Sequence, residues 1–198
     1  MVSELLYQVA KEKFLSGDIS SVQKFFEENS YFLELAYCKM LSGKLKEAKE
    51  IFSKNSEDDL RADWGKRFIQ FIEGHVTTAP TYFQIRNFLE IDLNLLIKAG
   101  RADYVENIIN GADIFYSVNP ESYKFIARVM YNNDFIDLAL YFLGKAKENF
   151  YYDPEMHLIF ANCYLKKGQK ELAKQSVNNC LSILPEYAPA KKLSLQLM

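Results

Sequence analysis

The chain has 198 residues, 49% of them hydrophobic, and its 24 basic and 26 acidic side chains leave a formal charge of −2. That much apolar material excludes a disordered chain, and the interspersed charge leaves no field to gather phosphate backbones or anionic lipid. With only 8 Gly and 5 Pro, turns are too scarce for an all-β fold, which needs one about every ten residues, but sufficient to punctuate a run of helices.

The N-terminal stretch MVSELLYQVAKEKF sets Glu4 and Glu12 among its apolar positions. It has neither a basic leader with an unbroken apolar run nor a small-residue cleavage site, and no apolar run in the chain approaches the length of about 18 residues that a membrane span needs. Residues 1–56 repeat: one constant shift sets Val9-Ala10 on Leu35-Ala36, Phe14 on Met40, Gly17 on Gly43 and Phe26 on Phe52. Two short helical hairpins are expected there.

Between residues 56 and 85 the register is lost. Leu60, Trp64, Phe68 and Phe71-Ile72 trace one helical face, which predicts a lone helix or an unusual pair. Glu73 to Pro80 reads as a loop, with Thr77 or Thr78 capping the next helix and Pro80 in its first turn. This loop, at 73–81, is the one candidate boundary within an otherwise single domain. It separates irregular hairpins (1–73) from more regular repeats (80–187) and a capping helix (188–198).

The last third repeats at a longer period. Ile126-Ala127 falls on Phe160-Ala161, Met130 on Tyr164, Leu138-Ala139 on Leu172-Ala173, and Ala146 on Cys180. Each unit carries two amphipathic stripes, with Gly168 between them in the second at a position suited to a left-handed residue. Asn119-Pro120 and Asp153-Pro154 supply a capping oxygen and a first-turn proline. Connections this short force each helix pair antiparallel, and a neighbouring hairpin must cover its apolar edge.

These residues resemble the tetratricopeptide repeat. Residues 154–187 carry its pattern as Ala161, Tyr164, Gly168, Ala173, Cys180 and Pro185. Residues 120–153 keep Ala127, Ala139 and Ala146 but have Asp134 for the turn glycine and lack the closing proline. In residues 86–119 only Gly100 and Ala112 stay in register, with Asp92 at an apolar position and Leu93 at a small one. The resemblance implies an all-α solenoid of 11 to 12 helices in a right-handed superhelical stack. It also implies a concave groove lined by the first helix of each hairpin, where a protein or extended peptide is held without chemistry.

Taking Ala127 and Ala161 to face the neighbouring helix, the inner stripe comprises Lys124, Arg128, Tyr131 and Asn132, then Leu158, Asn162, Leu165 and Lys166, with Glu90, Asn94, Ile97 and Lys98 equivalent in the weaker unit. From these, Asn94, Lys98, Lys124, Arg128, Tyr131, Asn162 and Lys166 form the candidate groove. Asparagine amides suit a peptide main chain, and the cations suit a carboxylate. The family's clamp for C-terminal carboxylates has a lysine where Glu90 stands here. On this reading, reversing Lys124 and Arg128 abolishes capture and leaves folding intact.

Chemistry has little to stand on. His75 lies in a loop and His157 at a helix start, neither within a metal-ligand spacing, so no metal or cofactor is expected. The pairs Glu27-Glu28 and Asp58-Asp59 read as solvated charge at helix ends. Cys38, Cys163 and Cys180, odd in number and without CxxC spacing, read as core filler in a reducing cytoplasm. A pentatricopeptide-like nucleic-acid binder would need a basic groove. The other functional readings are self-assembly and a regulatory subunit of a larger complex. Consecutive aromatics at Tyr82-Phe83 and Phe150-Tyr151-Tyr152 cannot all point inward and mark candidate contact patches.

Overall fold

A computed structural model describes residues 2–55, 57 and 59–197; Asp58 of the acidic pair lies outside them. Thirteen α-helices and no strand occur among the described residues. Within each of its two compact units successive helices pack on one another, an all-α array of helical hairpins as expected. No helix among the described residues is long and apolar enough to cross a membrane. The chain divides into two compact units, Met1–Asn119 and Pro120–Met198, and the 73–81 loop lies inside the first.

In the first unit, α1 (Val2–Leu15) pairs with α2 (Ile19–Glu28), and α3 (Phe32–Leu41) with α4 (Leu45–Asn55). The shortened repeat has a plain cause. Helix α2 has 10 residues and is followed by a tight exit through Ser30, at φ 60°. Next comes α5 (Leu60–Ile72), packed on α4 and capped by Asp59, whose carboxylate accepts from the amides of Arg61 and Ala62.

No second helix follows α5. Instead, after a turn at Glu73-Gly74, residues 75–81 run back along it as a strap. Gln70 Oε1 accepts from the amides of Thr77 and Thr78, Arg67 donates to the Ala79 carbonyl, and Gln84 Nε2 donates to Asp63. The strap returns the chain to the start of α5, where α6 (Tyr82–Lys98) begins and sets Gln84 against Asp63, and Asp92 against Arg61 and Trp64. The cap of α6 is Thr81, not Thr77 or Thr78: Thr81 and Gln84 form a reciprocal capping box, and Pro80 precedes it, buried. The expected caps are held in the strap instead, Thr77 through its hydroxyl and Thr78 through its amide, both bonded to Gln70.

Helix α6 reaches back to the first two hairpins. A Cβ placed on Gly17 would stand 2.3 Å from the Lys98 carbonyl oxygen, and Arg101 Nη1 donates to the Leu41 carbonyl at 2.9 Å. The C-terminal ends of α1, α3 and α6 therefore lie together. The unit closes with α7 (Ala102–Asn110) and α8 (Ala112–Val118). Their division raises the helix count above the eleven or twelve expected. It falls at Gly111, where a side chain would meet Phe71 of α5 at 2.7 Å.

The second unit is the regular one. It comprises α9 (Ser122–Asn132) with α10 (Ile136–Phe150), α11 (Pro154–Lys166) with α12 (Lys170–Ile183), and α13 (Ala188–Leu197). Asp134 takes the left-handed conformation at φ 65° where the other repeat has Gly168 at φ 72°. The α11 start matches its sequence reading, with Asp153 as cap and Pro154 in the first turn. Helix α9 instead begins at Ser122, with Glu121 at its cap position. Leu193 and Leu197 of α13 cover Ala161, Ala173 and Val177.

Gly17 and Gly100 both have positive φ, but only Gly17 has backbone in the path of a side chain. Gly17→Ala is expected to cost about 3 kcal/mol and Gly100→Ala about 1 kcal/mol. Urea unfolding followed by the fluorescence of Trp64, the single tryptophan, reads the first unit and checks the difference; equal costs would contradict the close approach.

Candidate functional site

The candidate residues fall in both units: Asn94 and Lys98 on α6, the other five on α9 and α11. In the second unit Lys124 is not presented to a ligand. Its side chain is 8% exposed, and its ammonium lies 2.6 Å from Asp153 and 3.2 Å from Glu121. Burial works against the charge, but the bonds to Asp153 and Glu121 outweigh it and raise the ammonium above its ordinary value. Asp153 thus caps α11 and anchors α9 at once. Arg128 pairs with Glu155 at 2.8 Å. Glu155 is also 3.9 Å from Lys124, so the three groups form one cluster.

Tyr131 and Lys166 are brought together, the ammonium 4.7 Å from the ring centroid and paired with Asp134. Asn162 turns into its own helix, donating to the Leu158 carbonyl at 2.9 Å. Leu158 and Leu165 stay half-buried beside it. This face is a fixed polar surface with apolar gaps, its cations already matched to carboxylates. The repeat carries a signal for Lys124, because the register that sets Ala127 on Ala161 sets Lys124 on half-buried Leu158. His157 is a similar case, set on buried Tyr123; it is 2% exposed and donates from Nε2 to the Tyr151 carbonyl at 2.6 Å.

The first unit is organised around Asp92, 1% exposed. Its Oδ2 accepts from Tyr37 Oη at 2.7 Å and Trp64 Nε1 at 2.6 Å, and its Oδ1 pairs with Arg61. Burial, then the charge of Asp92, pushes the Tyr37 hydroxyl well above the usual tyrosine value. The Arg61 guanidinium lies between two rings, 4.7 Å from the centroid of Tyr37 and 4.5 Å from that of Phe88. One carboxylate thereby joins α3, α5 and α6.

Above this network lies a cleft of about 260 Å³ between α1, α3 and α6, walled by Leu15, Leu33, Phe88 and Ile91. Leu15 and Ile91 are 46% and 49% exposed. Asn94 is half-buried on α6, and exposed Lys98 continues the stripe of Ile91 and Leu95. None of the cleft residues belongs to the set chosen from sequence. A wider opening of about 390 Å³ lies beside Tyr31, Ile51 and Asp59.

Among the described residues no group of three or more His, Cys, Asp or Glu is placed to hold a metal ion. The three cysteines are buried, and burial pushes the Cys38 thiol up to about 12 and that of Cys163 to about 11. Both aromatic patches reach solvent, Phe83 at 67% and Tyr152 at 81% exposure.

No family model, curated protein or solved structure matches the chain.

Asp92→Ala leaves Arg61 without its counter-charge and two buried donors without an acceptor, an expected loss of about 4 kcal/mol. A loss below about 1 kcal/mol in urea unfolding read by Trp64 would show that the network does not hold the unit. Lys124→Glu sets a fourth carboxylate beside Glu121, Asp153 and Glu155 and is expected to cost about 3 kcal/mol. Amide hydrogen exchange in α9 and α11 measures it. Lys124 reversal is therefore a stability variant, and the sequence-based expectation of intact folding is replaced.

Proposed function

We propose that the chain is a non-catalytic scaffold of the tetratricopeptide-repeat kind that holds a protein or peptide segment on the exposed faces of its first-helix positions, in a reducing cytoplasm. One observation carries this reading: these faces are rigidly tied beneath and incompletely covered above. In the second unit, Tyr131, Lys166, Arg128 and Glu155 are held by pairs that cross between helices, while Leu158 and Leu165 stay half-buried between them. In the first, exposed Leu15 and Ile91 flank a cleft over a fully buried carboxylate. Side chains already ordered lose little entropy on binding, and partly exposed apolar side chains gain from being covered.

The alternative is self-assembly, with the chain as a structural or regulatory subunit. Leu5, Leu6 and Val9, 65%, 51% and 44% exposed, favour it: they form an apolar face on α1, the first helix of the array. Closed pairing through that face would double the mass in solution.

The test is capture from native lysate by the immobilised chain, compared with Tyr131→Ala/Lys166→Glu and with Glu148→Lys, a charge change on exposed α10 surface. The scaffold reading expects retained proteins that the double variant loses by about tenfold and the control keeps. Equal retention by all three overturns the assignment of the second unit's face. No retention, with a solution mass of twice 23.0 kDa, supports self-assembly instead.

A further inference from the structure

The cleft of the first unit is more specific than a generic binding face. Three of its walls are set before any ligand arrives. Helix α6 is locked to α3 and α5 through Asp92, and the α1–α2 turn sits against the end of α6 with no room for a side chain on Gly17. At about 260 Å³ the space is below the range of roughly 300–1,000 Å³ of sites for small organic ligands. It suits one large apolar side chain. Leu15, Leu33, Phe88 and Ile91 offer that side chain an apolar lining beside Tyr37 and Arg61, whose polar atoms are turned to Asp92.

The charges around the opening are unequal. Lys11, in the lining, and Lys98, beyond Leu95 on the same helix, are exposed, and neither forms an ion pair among the described residues. Lys11 instead lies 5.6 Å from the centroid of Tyr7. The one carboxylate in the lining, Glu34, accepts from the Tyr7 hydroxyl at 2.7 Å, and that bond, after burial, holds the Tyr7 hydroxyl up at about 12. Asp92 is enclosed by its three donors. The cleft mouth therefore has two cations outside any ion pair against one carboxylate, Glu34, one of whose oxygens is taken up by Tyr7.

From this we infer that the cleft receives an acidic, apolar segment of a partner protein: one large apolar side chain enters between Leu15 and Ile91, and carboxylates within a turn of it pair with Lys11 and Lys98. The inference rests on the scaffold reading and narrows it. Apolar contact supplies affinity; the lysines supply orientation and a salt-dependent on-rate.

Selection of a displayed library of short random peptides on the immobilised full chain tests it, followed by fluorescence polarisation of the winning peptides, made synthetically. The expected winners carry a Leu, Phe, Ile, Met or Trp with Asp or Glu within one turn. Ile91→Glu is expected to weaken them about tenfold or more. Lys11→Glu/Lys98→Glu is expected to weaken them about fivefold at low salt, the effect shrinking as salt rises. All three substitutions are at exposed positions, and an unchanged unfolding midpoint read by Trp64 confirms that the variants fold. Winners that bind Ile91→Glu undiminished, or that lack acidic residues, overturn the inference and leave the scaffold reading standing. The absence of any winner overturns the inference and, together with no retention in lysate capture, the scaffold reading as well. A fluorescent dodecanoate probe that binds the wild type and not Ile91→Glu, with no peptide selected, reassigns the cleft to a small amphiphile and overturns it too.

Discussion

A carboxylate with 1% of its surface exposed is tolerable only where donors replace the water it has lost, and Asp92 finds them on two helices besides its own. Tyr37 comes from α3, and Trp64 and Arg61 from α5. Each donor alone falls far short of the desolvation cost, which is several kcal/mol per ion. The arrangement is stable only when all are in place, so the network selects one packing of the three helices where apolar side chains would accept several. Arg61 faces the same constraint from the other side. Its charge is matched by Asp92 and its two faces by Tyr37 and Phe88, a use of the planar guanidinium that a lysine could not reproduce.

The position of α6 follows from the strap. A second helix after α5 would have delivered the chain to a new hairpin stacked outward, as in a regular array where each repeat touches its neighbours alone. The non-helical segment 75–81 returns along the 13 residues of α5 with fewer residues, because an extended chain rises about 3.3 Å per residue against about 1.5 Å in a helix. It brings α6 back to the start of α5 and within reach of α1 and α3. The bonds of Gln70 and Arg67 to the strap are what satisfy its backbone along that path.

Sequence periodicity made the hairpins legible wherever both helices of a pair were present. The shorter shift of the N-terminal repeat and the longer one of the C-terminal repeat located the turns at Gly17, Gly43, Asp134 and Gly168, and all four take positive φ. Periodicity could not locate the strap, because an extended segment bound through Gln70 and Arg67 has no apolar period; Thr81 with Gln84 was the local signal that a capping box was there. Asp92 stood out as a polar residue at an apolar position, but its donors are 55, 31 and 28 residues away, a pairing that no single sequence encodes locally. The groove stripe described a helix face but not the distribution of charge on it. Whether Lys124 meets solvent or Asp153 depends on how α11 begins, which spacing along α9 does not reveal. The fold is thus read from local pattern, and the surface from contacts between distant residues.

This separation bears on how each unit can recognise anything. In the second unit the cations nearest the core are committed to Asp153, Glu121 and Glu155. A partner's carboxylate would have to displace one of these, losing as much as it gained, so discrimination there falls to shape and to the stacked pair Tyr131 and Lys166. In the first unit the matched pair of Arg61 and Asp92 lies below the cleft, and Lys11 and Lys98 stand in the open without an ion pair among the described residues. Charges that hold the fold and charges left for a ligand are then different residues at different depths. A substitution at the cleft mouth leaves Asp92 untouched, and this independence allows such a surface to vary while the helices beneath it keep one arrangement.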